Sequence, residues 1–270
     1  MIQLWSVAAI TFKEGLRNRA MYGISILALL MMVANLLISS MIMQEVGKVA
    51  VDMALSSASF AGLLLVLFVG INLLAKDLDR KTIYMVLSRP ISRSQYIVGK
   101  FLGIALLIIV SMALLSLFAA ASIYLVKLNT PGYFPRFSWS LVGLSLAFNT
   151  LALILLAALS FLFASFTSTS FISLMLTIVA YLIGNSINDV KALVEAPQGA
   201  GIAPSPVIVK VVQIAYYMFP NLSFFDIKTQ VAHGIAPSGS YVFWTVSYGL
   251  VYTSLAVAIA CAVFSKREFP

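Results

Sequence analysis

The chain has 270 residues, of which 61% are apolar and only 10% charged. Its mean hydropathy is +1.03. Soluble domains carry roughly 45–50% apolar and about 25% charged residues, so a water-soluble fold of this length could not hide so much apolar surface, and lipid is the expected solvent. Seventeen Lys and Arg against nine Asp and Glu give a net charge of +8. Because these charges fall between long apolar runs, they point to the loops of a membrane protein and exclude nucleic acid as a partner.

In chain order, residues 1–19 come first. Ile2, Trp5, Ala9, Phe12 and Leu16 share one helical stripe, with Gln3, Glu14 and Arg17 away from it. This pattern predicts an amphipathic helix lying in the membrane interface, with Trp5 at headgroup depth. Lys13, Glu14, Arg17 and Arg19 follow the apolar stretch rather than precede it, so no cleavable signal is expected.

A spanning helix needs about 20 mostly apolar residues. Six segments are predicted to span: 20–43, 54–75, 101–126, 141–166, 171–187 and 241–264, the fifth being the shortest; none contains Lys, Arg, Asp or Glu. With both termini placed inside, the inner segments hold Lys13, Arg17, Arg19, Lys76, Arg80, Lys81, Arg89, Arg93, Lys100, Lys266 and Arg267. The outer segments hold only Lys48, Lys127, Arg136, Lys191, Lys210 and Lys228. This bias predicts cytoplasmic termini, and an even number of spans agrees. The fold expected is an all-α integral membrane protein of one domain.

The loop 76–100 is rich in mixed charge, and Leu78, Ile83, Met85, Val86 and Leu87 give it an apolar face. Pro90 should end a short helix near Ser88, and Ser92 and Ser94 should cap a helix running into the third span. Such an amphipathic loop suits docking of a cytoplasmic partner better than a solvated connector.

Further along, Asn35, Asn72, Asn149 and Asn185 lie within the spans. Buried amides in lipid either pair across helices or line a path, and interhelical bonding is the more frequent use. Residues 188–240 hold Pro197, Pro204, Pro206, Pro220 and Pro237. Within them, 207–219 is apolar but too short to cross, which predicts a re-entrant or interfacial helix on the outer side. The single cysteine, Cys261, and single histidine, His233, allow neither a disulfide framework nor a compact metal site.

The run Asp77-Leu78-Asp79-Arg80-Lys81-Thr82, then Leu87-Ser88-Arg89-Pro90-Ile91-Ser92-Arg93, Tyr96 and Gly99-Lys100, resembles the loop after the second span of ABC-2-type transporter permeases. Gly15-Leu16-Arg17-Asn18-Arg19 before the first span, the outer region before the last one, and the tail Phe264-Ser265-Lys266-Arg267-Glu268-Phe269 are similar too. The departures are Asp77 and Asp79, where glutamates are common, and Lys81, where glycine is common. The resemblance implies that two copies pair as a homodimer in a bacterial or archaeal cytoplasmic membrane. It implies that each copy rests on a P-loop ATPase subunit (two copies), which would hold ATP and Mg. By the same resemblance Asp77, Asp79, Arg80, Thr82, Leu87, Pro90 and Arg93 form the partner-facing coupling element, and export is the expected direction. The chain has no G-x-x-x-x-G-K-[ST] run, so no ATP site, catalytic residue or cofactor is expected in it. The competing readings are a non-transporting anchor for a cytoplasmic protein and an ion-coupled secondary transporter, which needs ionisable groups the predicted spans lack. An intramembrane enzyme ranks last, since His233 lies outside the spans.

Overall fold

The computed structural model describes residues 2–42, 45–70, 73, 92–167, 169–195 and 206–266. Among them the chain is helical and has no strand. Helix α1 covers Ile2–Leu16, α2 Arg19–Met41 and α3 Val46–Leu65, which continues as a π-helical turn over Val66–Gly70. Helix α4 covers Arg93–Asn129, α5 Trp139–Phe166, α6 Ser170–Glu195 and α7 Pro206–Met218. A 3-10 turn at Ser223–Phe225, a short α8 at Lys228–Ala232 and the last helix, α9 at Gly239–Lys266, complete the order.

Six of these elements are long and apolar enough to cross a membrane: α2, α3 with its π turn, α4, α5, α6 and α9. This is the all-α membrane architecture the sequence predicts. With six crossings, α1 and the end of α9 share one end of the bundle, called here the terminal end. The α2–α3 and α4–α5 connections and the segment from α7 to α8 share the opposite end.

Helix α4 is the axis of the bundle. Its 37 residues extend about 55 Å, well beyond a hydrocarbon core of about 30 Å. It buries Ile104, Leu107, Ile108, Met112 and Ile123 against Leu55, Ala58, Ala61 and Leu65 of α3 and against α5. Small residues on α3 let the two helices approach, the usual packing device where lipid leaves no hydrophobic drive between helices. By contrast α2, α6 and α9 keep large apolar side chains such as Leu30, Leu182 and Val251 facing outward.

Two boundaries differ from the sequence-based expectation. Helix α3 begins before residue 54 and carries Lys48 and Asp52 in its first turns. Helix α6 continues past Ile187 through Asn188, Asp189 and Lys191 to Glu195, so the fifth span has 26 residues rather than being the shortest. Hydropathy alone clips helix ends where polar residues reach the headgroup region. The start of α4 does follow its predicted capping: the Ser92 hydroxyl accepts from Gln95 N–H, and the Gln95 side chain accepts from Ser92 N–H.

Candidate functional site

Two places gather polar chemistry. The first is the platform at the terminal end, where α1 lies across the start of α4. Gly99 and Gly103 of α4 permit this approach: a Cβ on Gly103 would fall 2.6 Å from the Ala8 carbonyl oxygen, and one on Gly99 would sit 2.9 Å from Val7. The stripe of α1 turned to the bundle is Val7, Ala8, Thr11 and Gly15. Trp5, Ala9 and Leu16 of the apolar stripe lie on the exposed face, as an interfacial helix requires.

Next to this crossing Lys100 is buried. Its ammonium donates to the Leu73 carbonyl at 3.2 Å and stands 4.0 Å from a Glu14 carboxylate oxygen. One cation therefore ties α1 and α4 to Leu73, three residues beyond the π turn of α3. Arg93, two turns earlier on α4, donates to the Ser265 carbonyl at 3.2 Å, which joins the first turn of α4 to the end of α9. Tyr96 stacks on Phe264 with ring centroids 6.4 Å apart. Leu73, three residues before the loop predicted for coupling, and Arg93 and Lys100 at its far end are thus tied to neighbouring helices. Of its predicted residues, Arg93 is the one described; Asp77, Asp79, Arg80, Thr82, Leu87 and Pro90 lie outside the described residues.

The second place is a cavity of about 60 Å³ toward the opposite end, between α3, α5, α6 and the segment that follows α7. Ser59, Ser145, Asn149, Tyr181 and Asn185 line it together with Asp226 and Lys228. The Asp226 carboxylate and Lys228 ammonium pair at 3.2 Å. The Asn149 amide nitrogen is buried and finds no hydrogen-bond partner among the described residues. The Asn185 amide donates to the Tyr181 carbonyl one turn back at 2.9 Å.

A bent segment closes this cavity. Helix α7 and the stretch Ser223–Ala232 meet at 60°. Leu222, Phe225, Ile227 and Val231 are buried in the bundle. Polar bonds fasten the bend to two spans. The Asn188 amide of α6 donates to the Ser223 hydroxyl at 2.7 Å, and the Asn221 amide donates to the Asn188 side-chain oxygen at 2.6 Å. The Leu222 N–H donates to the Gly184 carbonyl at 2.8 Å, where a Cβ on Gly184 would meet the Pro220 carbonyl oxygen at 2.7 Å. From α9 the Tyr248 hydroxyl accepts from Asn221 N–H, and the Tyr241 hydroxyl donates to the Phe224 carbonyl at 2.6 Å. This bend falls where a re-entrant or interfacial feature is expected, before the last span.

The four span asparagines therefore separate. Asn149 and Asn185 meet at the cavity. Asn35 lies apart, donating to the Ala50 carbonyl at 3.1 Å and the Ser122 hydroxyl at 2.6 Å while accepting from Ser39; it clasps α2, α3 and α4. Asn72 lies outside the described residues. Sequence reasoning missed Asp226, Lys228, Asn188 and Asn221. The available signal was Asn221 and an Asp-x-Lys triplet just after Pro220, polar side chains in an otherwise apolar turn. Among the described residues no group of His, Cys, Asp and Glu is placed to hold a metal.

Comparison with known proteins gives a family match over nearly the whole chain. The family model described as ABC-2 family transporter protein matches residues 5–269. A probable ABC transporter permease protein NosY of Pseudomonas aeruginosa is 29% identical over 160 residues, covering 55% of this chain and 58% of that protein. A probable NosY of Stutzerimonas stutzeri is 27% identical over 127 residues, covering 46% of this chain and 45% of that one. The chain thus spans about half the length of the curated relatives it matches.

Proposed function

We propose that this chain, which belongs to the ABC-2 transporter family, is the membrane-spanning permease subunit of an ATP-driven transporter. It pairs with a second copy of itself. Each copy receives a P-loop ATPase subunit on the loop 76–100, and ATP and Mg are held by that partner. The terminal end faces the cytoplasm of a bacterial or archaeal cell, in keeping with the concentration of Lys and Arg in the segments there. Cargo moves outward past the cavity of Asn149 and Asn185 when the bend at residues 219–232 lifts.

The observation that carries this reading is the Lys100 clasp. A loop that receives force from a partner must transmit it to the spans rather than flex alone. Lys100 links the loop's root at Leu73 to α1 and α4, and Arg93 links the other end to α9. Movement imposed on the loop therefore reaches three spans and the interfacial helix together. Export is the direction that the likeness to the ABC-2 family favours.

The test is co-purification. The tagged chain is solubilised gently, and a P-loop ATPase in near-equal amount is expected. The double variant D79A/R93A should lose that ATPase while its unfolding temperature shifts only slightly. An ATPase retained in full, with transport unchanged, would show that the loop is not the docking element. A chain that recovers intact with no ATPase supports the anchor reading instead.

A further inference from the structure

A second, larger pocket opens at the opposite end, on the outer face and away from the Asn149 cavity. Its volume is about 520 Å³. Three separate segments wall it: the start of α3, the α4–α5 connection and the residues after α8. The segments are held close by glycines. Gly47 lies against the Tyr133 carbonyl, leaving no room for a Cβ. Gly234, at φ +68°, lies against the Arg136 backbone, where a Cβ would fall 2.5 Å from the carbonyl oxygen. A left-handed glycine packed so closely holds its pocket wall in one place.

The pocket is two-natured. Tyr133, Phe134, Phe137 and Ile235 supply apolar wall, and Glu45, Lys48, Arg136 and His233 supply charge or polarity. Glu45 and Lys48 form an ion pair, and Lys48 holds the Glu45 carboxyl below the usual carboxylate range. That pair cancels. Among the described residues Arg136 has no carboxylate partner, and Lys127 lies just behind the wall with its ammonium 4.7 Å from the Phe137 ring centre. The charge left over is positive. The His233 Nδ1 is 2.8 Å from the Thr229 carbonyl, which can only accept, so Nδ1 is the donor there. Exposed Tyr133 and Trp139 flank the site, the residue types that settle at headgroup depth.

We propose that this pocket binds an amphiphilic anion carrying a phosphate, with the phosphate on Arg136 and the apolar part against Tyr133, Phe134 and Ile235. Arginine suits the role because its planar fork meets phosphate oxygens in pairs. The size fits a headgroup with its glycerol, or a small soluble organophosphate, rather than a peptide domain. This binding does not depend on an ATPase, so its test stands apart from the transport reading.

The experiment titrates the purified full chain in a neutral maltoside detergent, with bound species counted by native mass spectrometry. The probes are dihexanoyl-phosphatidylglycerol, dihexanoyl-phosphatidylcholine and glycerol 1-phosphate. The phosphatidylglycerol is expected to bind, and R136Q to weaken it at least about tenfold, as loss of a charged hydrogen-bonding partner does. E45Q should act in the opposite sense, tightening binding several-fold by releasing Lys48; a loss caused by misfolding could not produce that gain. Glycerol 1-phosphate binding as well as the lipid assigns a soluble ligand, and binding by the lipid alone assigns the leaflet. Equal affinity for the phosphatidylcholine, or R136Q and E45Q both leaving affinity unchanged, overturns the proposal.

Discussion

The same substitution at two span asparagines should move stability in opposite directions. Asn35 makes three buried hydrogen bonds, to the Ala50 carbonyl, Ser122 and Ser39. Interhelical hydrogen bonds in membranes average about 0.6 kcal/mol each and reach about 1.7. Ser39 lies on the same helix as Asn35, so two of the three bonds cross between helices; N35L therefore loses about 1–2 kcal/mol in bonds, and it strands the buried Ser122 hydroxyl, adding about 1 kcal/mol. Asn149 is the reverse case, since its amide nitrogen finds no partner among the described residues. The adjoining cavity of about 60 Å³ has room for water, which needs only about 10–15 Å³, so part of that cost is already relieved. N149L should be neutral or stabilising by up to about 1 kcal/mol. At about 2–4 °C per kcal/mol, N35L should lower the unfolding temperature in detergent by about 5–10 °C, with N149L level or a few degrees higher. Transport should follow the other order, with N149L losing activity in a well-folded protein. Equal destabilisation by the two changes would refute the division into a packing clasp and a cavity lining.

Other outcomes follow from the terminal-end platform. K100M removes the bond to the Leu73 carbonyl, worth about 1.5–3 kcal/mol, but spares the cost of burying an ammonium. With Glu14 well exposed and its attraction screened, the net loss should be about 1 kcal/mol. Its larger effect should be on stimulation of the partner's ATP hydrolysis, read in the reconstituted complex; unchanged stimulation would remove Lys100 from force transmission. G103A drives a Cβ into the Ala8 carbonyl and should cost about 1–3 kcal/mol, whereas G143A has open space and should gain a few tenths of a kcal/mol. Thermal unfolding of the two variants side by side measures the difference, and equal values would mean that α1 does not pack on α4 as described.

Hydropathy revealed the spans because each crossing must satisfy its backbone internally and present apolar side chains, a constraint written into consecutive residues. Capping at Ser92 was legible for a similar reason: it depends on residues three apart. The cavity was legible only in part. Asn149 and Asn185 announce themselves as amides in apolar runs, but Asp226 and Lys228 join them from a turn far away in sequence, through packing of Leu222, Phe225 and Ile227 that no local pattern encodes. The inward stripe of α1 was hidden as well. Val7, Ala8, Thr11 and Gly15 are small or mildly polar, so the stronger apolar stripe on the opposite, outward face dominates the periodicity.

The charged groups of the cavity ride on its cover and not on its walls. Asp226 and Lys228 belong to the bend that closes the space, whereas the spans contribute only hydroxyls, amides and a phenol. Lifting the bend would carry both charges away in the same stroke. A guest held partly by that ion pair would lose its grip at the instant its exit opened, and the empty vestibule would have little left with which to recapture it. Opening and loss of grip would then be one event, because the charge sits on the moving side of the joint.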